Sequence, residues 1–274
     1  MRRAFDLAIA VAVAAALAFL LLPLLALFLR VPPGTLASAL GSKVARDALV
    51  VSLETSVIAH AAILGIGTPA AYLLATRRFR GRDLVLTAID LPLVLPPAVA
   101  GIGLLAAFGS RGLLGGTLSA FGATVAFTQT AVVLAVVFVA GPLYLRQAVA
   151  AFAAVDPDLL AASRTLGASP FRTFRQVALP LAGPGLGVGS SLAFARGLGE
   201  FGATIMFAGS VQGRTQTLPL AIYAELDQDF DAALAIGALL VLVSVVILLA
   251  VKFLPSWTRS GSISPVPFAP SRSS

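Results

Sequence analysis

The chain has no cysteine, and histidine and tryptophan occur once each. The missing thiols exclude disulfides, thiolate nucleophiles and Cys-ligated zinc. His60 stands alone in an apolar stretch, so it has no partner for a histidine-based metal site within one chain. Charge is scarce: Asp, Glu, Lys and Arg make up 11% of the residues against 58% apolar ones, too few to give 274 residues a water-compatible surface. The Gly-x-x-x-x-Gly-Lys-Ser/Thr phosphate loop is also missing, so the chain does not hold ATP in the P-loop manner. No nucleophile–base pair or metal constellation supports a membrane enzyme.

What is present is a series of apolar runs about 20 residues long, the length that crosses a hydrocarbon core. Six spans are expected, near 7–29, 50–75, 84–108, 123–149, 181–207 and 232–254. They are continuously apolar and rich in Ala and Leu, which favours helices over a barrel. The expected fold is an all-α membrane domain over 1–254, followed by a Ser- and Pro-rich tail, 255–274, of disordered composition. Arg2 and Arg3 followed by apolar residues suggest a signal peptide, but that run outlasts a signal core, so an uncleaved first helix is expected. The net charge of +7 does not form a nucleic-acid patch, because the cations sit at the ends of the runs. With the N-terminus inside, 13 Lys and Arg fall in cytoplasmic segments and 5 in external ones, which sets both termini in the cytoplasm. The longest cytoplasmic connection is then 150–180 and the longest external one 208–231.

The cytoplasmic connection contains a short helix with its own caps. Asp156 suits the N-cap, Pro157 the first helical position, Asp158 the positive end of the dipole and Gly167 the stop. Leu159, Leu160 and Leu166 are expected to be exposed on it among small residues, so a headgroup layer or a protein groove must cover them. A partnerless amphipathic surface helix is the plainer alternative.

At this point the loop resembles that of binding-protein-dependent ABC importers. Their pattern is Glu-Ala-Ala, three residues, Gly, nine residues, an aliphatic, one residue, then Leu-Pro. Here it is matched in spacing by Ala161-Ala162-Ser163, Gly167, Val177 and Leu179-Pro180, with Ala161 in place of Glu and Ser163 in place of Ala. The resemblance implies a type I ABC importer permease fold whose coupling helix docks on a separate ATPase. Leu159, Leu160, Ala161, Ala162, Ser163, Leu166 and Gly167 would form that contact.

Further segments narrow the likeness. Leu91 to Gly101 places Pro92, Pro96 and Pro97 inside one span, which forces a kink or break where protein or water satisfies the freed carbonyls. The block Ala195-Arg196-Gly197-Leu198-Gly199-Glu200-Phe201-Gly202-Ala203-Thr204 is followed by Gly213-Arg214-Thr215-Gln216-Thr217-Leu218-Pro219. Together these segments are similar to permeases of molybdate ABC transporters over about residues 45–254. Tungstate permeases are similarly close, and sulfate and thiosulfate permeases share a related Leu-Gly-Glu block. The resemblance implies a non-catalytic homodimer in the inner membrane, with no cofactor in this chain. Two ATPase subunits holding ATP and magnesium and an external oxyanion-binding protein would complete the complex.

Arg196 and Glu200 are expected on one helix face, four residues apart and paired. Charges inside a span are costly and face the bundle interior, so they either line the anion path or lock the packing. The candidate path residues are Pro96, Pro97, Arg196, Glu200 and Thr204. His60 and Gln129 are expected to bond between helices, and Glu54 and Asp90 to lie near span ends. A self-sufficient secondary transporter or channel is the rival reading, but no inverted repeat supports it.

Overall fold

The computed structural model describes residues 2–253, and every regular element among them is helical. The expected tail, and the last residue of the expected sixth span, lie outside the described residues. The chain runs α1 (Arg2–Arg30), α2 (Pro33–Gly41), α3 (Lys43–Thr76), α4 (Arg82–Val94), α5 (Pro97–Phe108), α6 (Gly115–Ala120) and α7 (Gln129–Ala153). It continues through α8 (Pro157–Thr165), α9 (Pro170–Thr173), a π-helical turn (Phe174–Ala178), α10 (Leu179–Leu198), α11 (Gly202–Ala208), α12 (Leu218–Glu225) and α13 (Phe230–Phe253). Five helical stretches are long and apolar enough to cross a membrane, and α4 with α5, bent by 114° at their break, brings the number to six where the pair counts as one broken span.

The core is built around α7, with α3 and α10 packed along it. Its buried positions are mostly Ala and Val, among them Ala131, Val132, Ala135, Val139, Ala140 and Ala148. Small side chains let neighbouring backbones approach, which is how helices associate in lipid without a hydrophobic drive. A Cβ added at Gly185 would lie 2.6 Å from that of Ala151, and one at Gly197 2.7 Å from Val136 Cγ1. Between α3 and α10, His60 Nε2 bonds Ser190 Oγ at 2.8 Å and the His60 ring meets Phe194 edge-on. By contrast α1, apolar all round, leaves its hydrophobic length unburied and lies against α13. A helix of that kind is solvated by lipid.

The third span breaks where its prolines stand. Pro96 and Pro97 have no N–H to give the carbonyls of Pro92 and Leu93, so α4 stops at Val94 and α5 restarts at Pro97. The halves serve opposite ends of α7. Leu86 and Ile89 of α4 pack into a cluster with Ala148, Val149 and Phe152, whereas Ala100 and Leu104 of α5 pack with Ala131, Val132 and Ala135.

Several expected boundaries move. The stretch 123–128 is not helical and α7 starts only at Gln129, because Thr128 caps it by accepting from the Ala131 N–H. The fifth membrane helix starts at Pro170 and ends at Leu198, short of the expected residue 207. Gln129 itself is exposed in the first turn of α7 and bonds no neighbouring helix among the described residues. Glu54 lies on the exposed face of α3, well inside that helix and away from its ends.

One buried bond ties α3 to the start of α12. The Leu218 N–H at the start of α12 donates to Ser52 Oγ of α3 at 2.8 Å. Ser52→Ala orphans that amide in a dry environment and should cost about 1–3 kcal/mol. The expected result is a lower unfolding midpoint of the purified protein in detergent, with Ser52→Thr closer to the wild type.

Candidate functional site

The fifth span breaks as well, and its break meets that of the third. After α10 the chain makes a three-residue interruption, Gly199–Phe201, before α11 begins. The first turn of α5 lies directly on α11. A Cβ at Gly202 would sit 2.8 Å from Pro97 Cβ, and one at Gly101 would sit 2.6 Å from the Ala203 carbonyl oxygen. Glycine is needed at both positions because backbone rests on backbone. Pro96 and Pro97 stay exposed beside this contact.

Glu200 lies in the interruption and organises it. Its Oε1 accepts from the Ala203 N–H of α11 at 2.8 Å, and its Oε2 lies 2.7 Å from Arg196 Nη1 of α10. The expected pair therefore exists, but not on one continuous helix face: α10 ends at Leu198, before Glu200 is reached. The Glu200 side chain is 1% exposed and the Arg196 side chain 38%. Thr204, on α11, is fully buried, and its hydroxyl has no partner among the described residues. All five candidate path residues thus fall at the two breaks.

Features not anticipated from the sequence surround them. Phe127 holds φ at 60°, a left-handed conformation unusual for an aromatic residue, and its N–H donates to the Phe207 carbonyl of α11. Tyr223 of α12 lies against Phe201 with ring centroids 5.2 Å apart. Asp90, expected near a span end, and Arg146, expected in a cytoplasmic segment, form a 3.1 Å ion pair that joins α4 to α7. Their signal was only that each carries a charge in an apolar run, which does not say that they meet.

At the other end of α10 sits the short capped helix. Asp156 Oδ1 accepts from the Asp158 N–H at 2.9 Å, and Gly167 ends the segment at φ 83°. One expectation needs correction: Leu160 is not exposed but 7% accessible, and belongs to the buried cluster that also holds Leu74, Tyr144, Phe152 and Ala178. It anchors α8 to the bundle. Leu159 and Leu166 do stay exposed and, with Ala162, Ser163, Val177 and Pro180, line an open apolar groove of about 600 Å³. Ala161 and Ala162 are exposed, and Ser163 Oγ bonds Thr173 Oγ1 of α9 at 3.1 Å.

Residues 67–260 match the family described as binding-protein-dependent transport system inner membrane component. The chain belongs to this family. It is 43% identical to the molybdenum transport system permease protein ModB of Mycobacterium tuberculosis over 235 residues, 86% of this chain and 89% of that one. A probable sulfate transport system permease protein of Nephroselmis olivacea is 35% identical, over 79% of this chain and 76% of its own length. Among solved structures, the bacterial alginate ABC transporter in complex with alginate pentasaccharide-bound periplasmic protein aligns over 91% of this chain and 93% of its own. That alignment has a TM-score of 0.70 at 17% identity, and so speaks to the fold. The permease is a multi-pass protein of the inner membrane with the type I ABC importer fold, and it is a non-catalytic transport subunit.

Proposed function

We propose that the permease forms the membrane path of an ATP-driven molybdate importer, with tungstate as an accepted analogue. The observation that carries this reading is the partly exposed Arg196 side chain where the two helix breaks meet. Irregular backbone at membrane depth is tolerated where protein or a water-filled path covers it, and a cation there favours an anion. Substrate class follows the relatives, since the likeness to a molybdenum permease exceeds that to a sulfate permease in both identity and coverage.

Two copies of the chain would enclose the path, with both termini in the cytoplasm and an oxyanion-binding protein on the outer face. Two ATPase subunits, holding ATP and magnesium, would receive α8 through the groove lined by Leu159 and Leu166. Leu160, Ala161, Ala162, Ser163 and Gly167 complete that coupling element. Its motion reaches the break through one nearly continuous helix, Pro170–Leu198. ATP-driven approach of the two coupling helices would switch the path between its two openings.

The test is competition. Uptake of radiolabelled molybdate by proteoliposomes holding permease, ATPase and binding protein should be blocked by tungstate and unaffected by sulfate. Blockage by sulfate would assign the permease to the sulfate branch.

A further inference from the structure

We propose that Glu200 is a built-in stand-in for the transported anion, occupying Arg196 until α10 and α11 move apart. This rests on the reading of the break as an oxyanion path. The geometry supplies the reason. Arg196 belongs to α10, which runs from the coupling element, while Glu200 is held by the Ala203 N–H of α11. Glu200 bridges the two helices: its backbone N–H donates to the Gly197 carbonyl of α10 at 3.1 Å, while its carboxylate, 2.7 Å from Arg196 Nη1, is bonded to α11. α11 in turn is seated on α5 through the contacts at Gly101 and Gly202 and is tied to the Phe127 N–H. A shift of α10 that leaves α11 in place, opening the single backbone bond from Glu200 to Gly197, pulls the guanidinium off the carboxylate.

Two electrostatic states result. In the paired state the site is neutral, and a carboxylate already fills the place an oxyanion would take. In the separated state the guanidinium, on the more exposed side chain of the pair, is left without its counterion. Its planar fork matches two oxygens of a tetrahedral dianion as well as it matches a carboxylate. The unpartnered Thr204 hydroxyl on α11 shows polar demand unmet at the same place in the paired state. When the pair re-forms, the carboxylate competes the anion off, so the cation does not retain its cargo. A path needs binding weak enough to permit release, and an internal competitor supplies it.

The experiment measures retention of radiolabelled molybdate by the purified permease–ATPase complex in detergent, without the binding protein. The wild-type complex should retain none in a saturable manner. Glu200→Gln keeps a side-chain oxygen for the Ala203 N–H but removes the competing charge, so this variant should bind molybdate saturably, displaced by tungstate. Arg196→Gln in the same background should abolish that binding. A Glu200→Gln complex that binds no more molybdate than the wild type would overturn the proposal. Wild-type uptake in proteoliposomes is the control that separates this failure from failure of the oxyanion reading itself. The exchanged pair, Arg196→Glu with Glu200→Arg, provides a second arm. A purely structural ion pair predicts recovery of uptake on exchange. The stand-in predicts an assembled, ATP-hydrolysing complex with no uptake, since the cation now rides on α11.

Discussion

Gly101→Val should lower molybdate uptake roughly tenfold or more, equivalent to about 1.4 kcal/mol or more in the rate-limiting barrier. The new Cβ would lie 2.6 Å from the Ala203 carbonyl oxygen, 2.9 Å from Ala203 Cα and 2.7 Å from Met206 Cβ. Two of those three atoms are backbone, so no side-chain rotation relieves the clash. Either α5 or α11 must move, and with it the junction of the two breaks. Overpacking of this kind costs about 1–3 kcal/mol in ordinary cores. Gly103→Val is the matched control, two residues along the same helix where an added Cβ meets nothing within 4 Å. It should transport as the wild type does. The comparison is uptake per assembled complex, with the unfolding midpoint measured alongside; equal uptake by the two variants would show that the α5–α11 contact does not shape the path.

Leu166→Asp should weaken ATPase association by roughly tenfold while leaving the permease as stable as before, because truncating a central interface anchor commonly costs more than 1 kcal/mol. Leu166 is 89% exposed on the groove among the described residues, so a docked ATPase is what would bury it. Leu160→Ala should behave in the opposite way. That side chain sits in the cluster with Leu74, Tyr144 and Phe152, and its loss should cost about 2–5 kcal/mol of stability. A pull-down of the ATPase at matched permease concentration, together with thermal unfolding of each variant, separates the two roles. Loss of stability without loss of association in Leu166→Asp would remove this face of α8 from the coupling surface.

Much of this was legible from composition because lipid imposes strict rules. Long apolar runs must be helices, and Pro96-Pro97 in the middle of one removes two backbone donors, so the third-span break could be read directly. The break in the fifth span could not. Arg196 to Thr204 contains no proline, and a spacing of four between Arg196 and Glu200 suits an unbroken helix equally well. What breaks it is a tertiary arrangement: α11 lies on α5 with Glu200 taking one of its first N–H groups. Leu160 shows a related limit. A short helix of nine residues presents leucines on more than one side, and only the packed ends of α3, α7 and α10 decide which of them is the anchor. Asp90 and Arg146 are 56 residues apart, and their pairing depends on how far α4 turns at the Pro96 break, a bend angle that proline alone does not set.

The most direct test of the permease as an ATP-driven importer is uptake of radiolabelled molybdate by proteoliposomes containing this chain and the binding protein, with and without the ATPase and ATP. Uptake that requires both, and stops when ADP replaces ATP, is the predicted result. Uptake that persists with the ATPase omitted would contradict the account and leave a self-sufficient transporter or channel in its place.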